Sequence, residues 1–256
     1  MRVATPPSTS PGGGSPRAPQ GRNWLVIAAI PFALSVALVV AVASYLHSKS
    51  ATVPVYGQLS SIPPLQRLMG LSDLPPRYAP AFKLVDQNGQ SVSLGQFRGN
   101  SVVLAFMDSR CTTVCPVLTQ EFLLAQKDLG TSASKVDFVA VNINPLAAQV
   151  SDVVAFDTLH GLTKMKNWYF LTGPGPQLLD IAKKYGISVI VPADKNPNDI
   201  IHADYVYFLN PKGQERYLAS PVVDETASGA GYLPQPTLAQ WGHGIANYAH
   251  QVLVNS

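Results

Sequence analysis

The chain has 256 residues, 46% of them hydrophobic, enough for one sizeable core with some length to spare. Lys and Arg total 18 against 15 acids, and Arg2, Arg17 and Arg22 all lie before residue 47 in a stretch without acids, so the rest of the chain is balanced. A balanced domain lacks the basic stripe that nucleic-acid binding needs, which argues against a nucleic-acid partner.

Residues 1–23 are rich in Pro, Gly and Ser and cannot bury a core, so a disordered tail is expected there. From Trp24 to Leu46 follow 23 residues without a charge, "WLVIAAIPFALSVALVVAVASYL". As a helix this run spans roughly 34 Å against a bilayer core of about 30 Å, and Pro31 near its start is tolerable in lipid. Arg17 and Arg22 precede it, so the positive-inside rule puts the tail in the cytoplasm and everything after a single-pass transmembrane anchor outside. A cleaved leader is the alternative, since Ala41-Val42-Ala43 has the form of a cleavage site. The apolar run is longer than the usual leader core of about 7 to 15 residues. Residues 47–80 contain six prolines and are expected to form an extended stalk.

The folded domain is placed at residues 81–220. Phe82 to Leu94 carries two alternating runs about Asn88-Gly89, a strong hairpin signal. "SVVLAFM" (Ser101 to Met107) is a buried strand, and a helix begins at or near Pro116, because proline suits a first helical turn. Strands and helices then alternate. "KVDFVAVNI", "WYFLT" and "ADYVYFLN" are strands, "AAQVSDVVAFDTLHG" and "PQLLDIAKKYG" helices, and "QERYLA" closes a hairpin across "NPKG". That alternation predicts an α/β fold with a mixed sheet, whose site lies at the carboxyl ends of the strands. Residues 221–256 form a C-terminal extension. Its end, Pro236 to Val254, has helical character that Gly242 and Gly244 weaken.

Both cysteines of the chain stand in "DSRCTTVCP", at a strand-to-helix junction. A helix start near Pro116 puts Cys115 at the positive end of the helix dipole, and Arg110 adds a cation, so both sulfurs are expected to be reactive. On a regular helix residues four apart stand roughly 5 to 6 Å apart at Cβ, too far for a disulfide, which therefore requires Cys111 to lie in the loop. A metal tolerates the wider spacing. His202, just ahead of the strand beginning near Tyr205, is the candidate third ligand; two thiolates and an imidazole suit copper, and zinc would want a fourth donor that the sequence does not reveal. Three readings stay open: a copper site on Cys111, Cys115 and His202, a redox-active dithiol, and a structural disulfide. His47, His160, His243 and His250 are assigned no role, and Asp108 is either a supporting acceptor for the site or half of a solvated pair with Arg110.

"FKLVDQNGQSVSLGQFRGN", "CTTVCP", "VAVNINP" and "HADYVYFLNPKG", in this order over about residues 75–220, resemble the Sco (SenC) family of membrane-anchored thioredoxin-like proteins. The resemblance implies a thioredoxin-like fold with an added N-terminal hairpin and copper bound through Cys111, Cys115 and His202. It also implies a role in assembling the binuclear copper centre of cytochrome c oxidase, either by delivering copper to the copper-bearing subunit or by reducing that client's cysteines. This chain has Thr112, Thr113 and Val114 where the family usually has a proline and an acid, Asn144 where an aspartate is common, and Ile201 where an aspartate often precedes the histidine. The last difference predicts the loss of a carboxylate that would support His202.

Overall fold

The computed structural model describes residues 64–255. The expected tail, the apolar run 24–46, His47 and the first part of the stalk lie outside them. Among the described residues no helix is long and apolar enough to cross a membrane.

A six-stranded mixed sheet forms the centre, in the order β1 (Ser72–Tyr78), β10 (Gln214–Ala219), β9 (Val206–Leu209), β4 (Ser101–Met107), β5 (Val136–Asn142), β6 (Trp168–Leu171). Strands β4, β5 and β6 are parallel, and β9 runs antiparallel to β4. Every residue of β4 and β5 is buried. The reason is visible in the alternation: Val103, Ala105 and Met107 enter one apolar cluster, Val102, Leu104 and Phe106 the other, so both faces are covered.

The first cluster packs under four helices: α1 (Pro64–Leu68), α2 (Val114–Asp128), α3 (Val150–His160) and α5 (Gln235–Val254). The second lies under α4 (Gly175–Lys184) and the expected hairpin, β2 (Lys83–Val85) with β3 (Ser91–Ser93), whose turn places Gly89 at φ 75°. Two further small hairpins appear. Strands β7 (Val189–Ile190) and β8 (Ile201–His202) pair, as do β11 (Asp224–Glu225) and β12 (Gly231–Tyr232).

The structure corrects the expected extent of the stalk. Residues 64–80 belong to the domain: Met69 and Leu71 are buried in the first cluster, and β1 pairs with β10 at the sheet edge. Pro75 and Pro76 fall where the β1–β10 register shifts, between Asp73 and Arg77, and an irregular edge tolerates residues that cannot donate to the ladder.

The C-terminal helix, expected to be weak, runs unbroken for 20 residues. A Cβ on Gly242 would lie 2.5 Å from Leu124 Cβ of α2, and one on Gly244 would collide with Met69. The two glycines cost helix propensity of roughly 1 kcal/mol each. They allow the close approach that buries Trp241, Ile245 and Ala249 completely, and full burial of a large apolar side chain contributes roughly 1.5 to 3 kcal/mol. Packing wins over propensity.

Candidate metal centre

Strand β4 ends at Met107, and the chain turns through Asp108 to Cys111, whose N–H donates to the Asp108 carbonyl at 3.1 Å. Helix α2 begins at Val114, two residues before the expected proline. Cys111 therefore precedes the helix and Cys115 lies in its first turn. Both are free thiols, Cys111 half-buried and Cys115 buried.

The first N–H groups of a helix have no acceptor within it. Thr113, at the N-cap, makes no side-chain capping bond. The Cys111 sulfur takes that place, accepting the Cys115 N–H at 3.4 Å and lying 3.6 Å from the Thr113 hydroxyl. A hydrogen bond from the Cys115 thiol, with those from the Cys115 and Thr113 backbone and the Thr113 hydroxyl, lowers the Cys111 thiol to about 5 against the opposing effect of burial. Cys115 moves the other way, because it donates to Cys111, is buried, and faces the negative charges of Cys111 and Asp204. The expectation that both sulfurs are reactive thus holds for Cys111 and not for Cys115. Cys111 is the thiolate, and Cys115 holds the proton the pair shares.

Arg110 is not the electrostatic aid it was expected to be. Its guanidinium is paired with Asp152 at 2.6 Å, beside a cleft that both share with Cys111. Asp108 is not half of a solvated pair: its side chain is buried, and its Oδ1 accepts the Arg110 N–H and the Asn144 Nδ2–H, each at 2.8 Å. Burial raises its pKa, with those two hydrogen bonds opposing the rise.

Asn144 is the positioning residue that sequence reasoning noticed only as a departure. Its Nδ2 donates to Asp108 and, at 2.7 Å, to the Pro197 carbonyl on the loop leading to His202. Its Oδ1 accepts the N–H groups of Leu146 and Ala147. An ionised aspartate has no N–H to donate and would set a second carboxylate against Asp108. Asparagine is the residue that can join the cysteine turn to the histidine loop.

His202 sits in β8, opposite Val189, rather than in an open loop. Its side chain is nearly buried, and its Nδ1 lies 3.3 Å from Asp204 Oδ1. Asp204 supplies the carboxylate that the isoleucine at 201 had suggested was missing; it comes from two residues after the histidine. Burial pushes Asp204 up to about 6, with His202 opposing the shift. Donor atoms of Cys115, His202 and Asp204 all lie within 4.8 Å of one another. Cys111, Asp108, His202 and Asp204 line a cleft of about 370 Å³ beside them, and Glu225 of β11 forms part of its wall. The structure thus brings all three sequence candidates to one place and adds a carboxylate.

Two contributors had no clear sequence signal. Strand β12 lies across the cysteine turn, with the Gly231 N–H donating to the Thr112 carbonyl at 3.4 Å. His160 lines a second cleft of about 280 Å³ on another side of Cys111, and burial lowers its pKa. His243 and His250 lie on α5, against the end of α2, where His243 Nδ1 is 3.6 Å from Asp128.

The SCO1/SenC family model matches residues 72–227, more than half of the chain. The chain belongs to the SCO1/SenC family. A SCO1 protein homolog of Bacillus subtilis is 25% identical to this Sco chain over 133 residues, 52% of this chain and 68% of that one. Among solved structures, a SCO1/SenC family lipoprotein from Bacillus anthracis superposes with a TM-score of 0.55 at 20% identity, covering 71% of this chain and 99% of that one. ScoI of Bradyrhizobium japonicum, solved with copper bound, gives a TM-score of 0.53 at 17% identity, covering 69% of this chain and all of that one. These likenesses bear on the fold, a mixed α/β sheet consistent with the thioredoxin-like Sco architecture.

Proposed function

We propose that this Sco protein is a membrane-anchored copper carrier, which holds one copper ion through Cys111, Cys115 and His202 and passes it to a client outside the cytoplasm. The observation that carries the reading is the convergence of a Cys111 thiolate, a buried Cys115 and the His202–Asp204 pair on one cleft. Sulfur and imidazole donors suit copper better than hard ions do, and thiolates permit transfer by stepwise ligand exchange. Family membership and the copper held by the Bradyrhizobium and Arabidopsis ScoI structures support it. In this reading the client is the copper-bearing subunit of cytochrome c oxidase. The apolar run from Trp24 to Leu46 is the anchor, with the domain on the extracytoplasmic side.

Titration of Cu(I) into the full chain against a competing chelator tests the reading. One tight equivalent is expected, weakened at least tenfold in His202→Ala and lost in Cys111→Ser with Cys115→Ser. Equal Cu(I) affinity in the wild type and His202→Ala would remove His202 from the ligand set.

The unequal thiols favour a second reading, a dithiol reductase of client cysteines. The Cys111 thiolate would attack a client disulfide, releasing one client thiolate and forming a mixed disulfide. Cys115, giving up its proton, would attack the Cys111 sulfur and release the second. The client is reduced by two electrons and the pair is left as a disulfide. A midpoint potential for the pair below about −300 mV would mark a disulfide too stable for a recycling reductant.

A further inference from the structure

We infer that Asp204 is a fourth donor of the copper site, one that closes around the divalent ion and leaves the monovalent ion to Cys111, Cys115 and His202. The inference rests on the copper-carrier reading and deepens it, by assigning a residue that sets which oxidation state the site retains.

The placement comes from chain geometry. His202 ends β8, and Asp204 follows two residues on, where its carboxylate comes back against the imidazole. Ile201 is 64% exposed. The His202 side chain is only 6% exposed, and Asp204 Oδ1 lies 3.3 Å from its ring nitrogen. Ile201 meets the cleft as a largely exposed residue, whereas the Asp204 carboxylate lies within 4.8 Å of the Cys115 sulfur. The Asp204 side chain is 23% exposed and lines the same cleft as Cys111.

The donor spacing fits an ion after a small contraction. Around one metal, bonds of about 2.3 Å to sulfur and about 2.0 to 2.2 Å to nitrogen or oxygen hold neighbouring donors roughly 3.3 to 3.8 Å apart. The Cys115, His202 and Asp204 donor atoms are already within 4.8 Å of one another. A movement of about 1 Å, within the reach of side-chain rotation, completes the set.

Charge decides which ion uses it. Cu(I) between two thiolates leaves one net negative charge, and a carboxylate would add a second in a largely buried site, which is unfavourable. Cu(II) between two thiolates with that carboxylate again leaves only one. Oxygen is also the harder donor, better matched to Cu(II) than to Cu(I). The carboxylate thus balances the extra charge of the oxidised ion and adds nothing to the reduced one.

A role limited to orienting the imidazole would give a different result, and Asp204→Asn separates the two. It keeps an oxygen acceptor for the ring and deletes the charge; Asp204→Ala deletes both. In the full chain, Cu(I) and Cu(II) affinities would be measured anaerobically by chelator competition and the Cu(II) form by electron paramagnetic resonance. Asp204→Asn is expected to leave Cu(I) affinity within about threefold, lower Cu(II) affinity about 10- to 100-fold and change the Cu(II) spectrum. The copper midpoint potential would then rise by about 60 to 120 mV. Equal Cu(II) affinity and spectrum in wild type and Asp204→Asn would overturn the inference alone, provided Cu(I) binding still depended on His202. Equal weakening of both ions would overturn it too, in favour of an orienting role. A wild-type chain that binds no Cu(I) would overturn the carrier reading and this inference together.

Discussion

The Cys111 sulfur sits where the Cys115 N–H, the Cys115 thiol and the Thr113 hydroxyl converge, so its negative charge is stabilised by donors already in place. A thiol lowered from 9.0 to about 5 remains a thiolate throughout the neutral range. Alkylation of Cys111 by iodoacetamide is therefore expected to be nearly constant from pH 9 to 6 and to fall about tenfold per pH unit below 5. In Cys115→Ala, which lacks the main donor, the midpoint should move upward; an unmoved midpoint would show that the backbone groups suffice. The depressed value also adds stability that is present above the ordinary thiol pKa and lost as pH falls towards 5. The motif put the two cysteines together in sequence. Their inequality was not legible there, because it depends on which sulfur the helix start leaves outside the first turn.

Among the elements, the β11–β12 hairpin bears most directly on the site. Gly231 brings its backbone against Thr113, and a Cβ there would collide with the Thr113 carbonyl. Gly231→Ala is accordingly expected to lift β12 from the cysteine turn and weaken the bond to the Thr112 carbonyl, worth about 0.5 to 1.5 kcal/mol. The check is a several-fold faster alkylation of Cys111 with thermal unfolding lowered by only a few degrees; an unchanged rate would mean that the hairpin does not shield the sulfur. Residues 221–236 carry no readable period in the sequence, since two-residue strands show no alternation. Hairpin β7–β8 is illegible for the same reason, although it holds His202. Strands β4 and β5 and helices α2 and α4 were legible because each is long enough to display its period.

At the scale of the whole molecule, two apolar layers hold the sheet, and polar groups are tucked into them. Asp157 is buried among them, pushed up to about 7 by desolvation even though the Trp168 indole N–H donates to it at 2.9 Å. The folded state holds this proton more tightly than the unfolded chain does. Its contribution to stability is full below about pH 4 and lost as pH rises through about 7. Asp157→Asn keeps an acceptor for the indole and cannot ionise. It should gain roughly 1 to 3 kcal/mol over the wild type at pH 8 and little at pH 4, as read from urea unfolding at the two pH values. Equal effects at both would place the carboxyl in contact with water.

The sequence by itself determined the α/β class, the cysteine junction at the carboxyl end of β4 and the candidacy of His202, because these rest on local periodicity and on residue chemistry within a few positions. Only the tertiary structure decided that residues 64–80 belong to the sheet edge, that Gly242 and Gly244 serve helix packing, and that Asn144 ties the cysteine turn to a loop 53 residues beyond Asn144 itself. It also decided that the carboxylate beside His202 is Asp204. Such facts concern which surfaces meet across the fold. A pattern along the chain records the period of an element and not the neighbour it packs against.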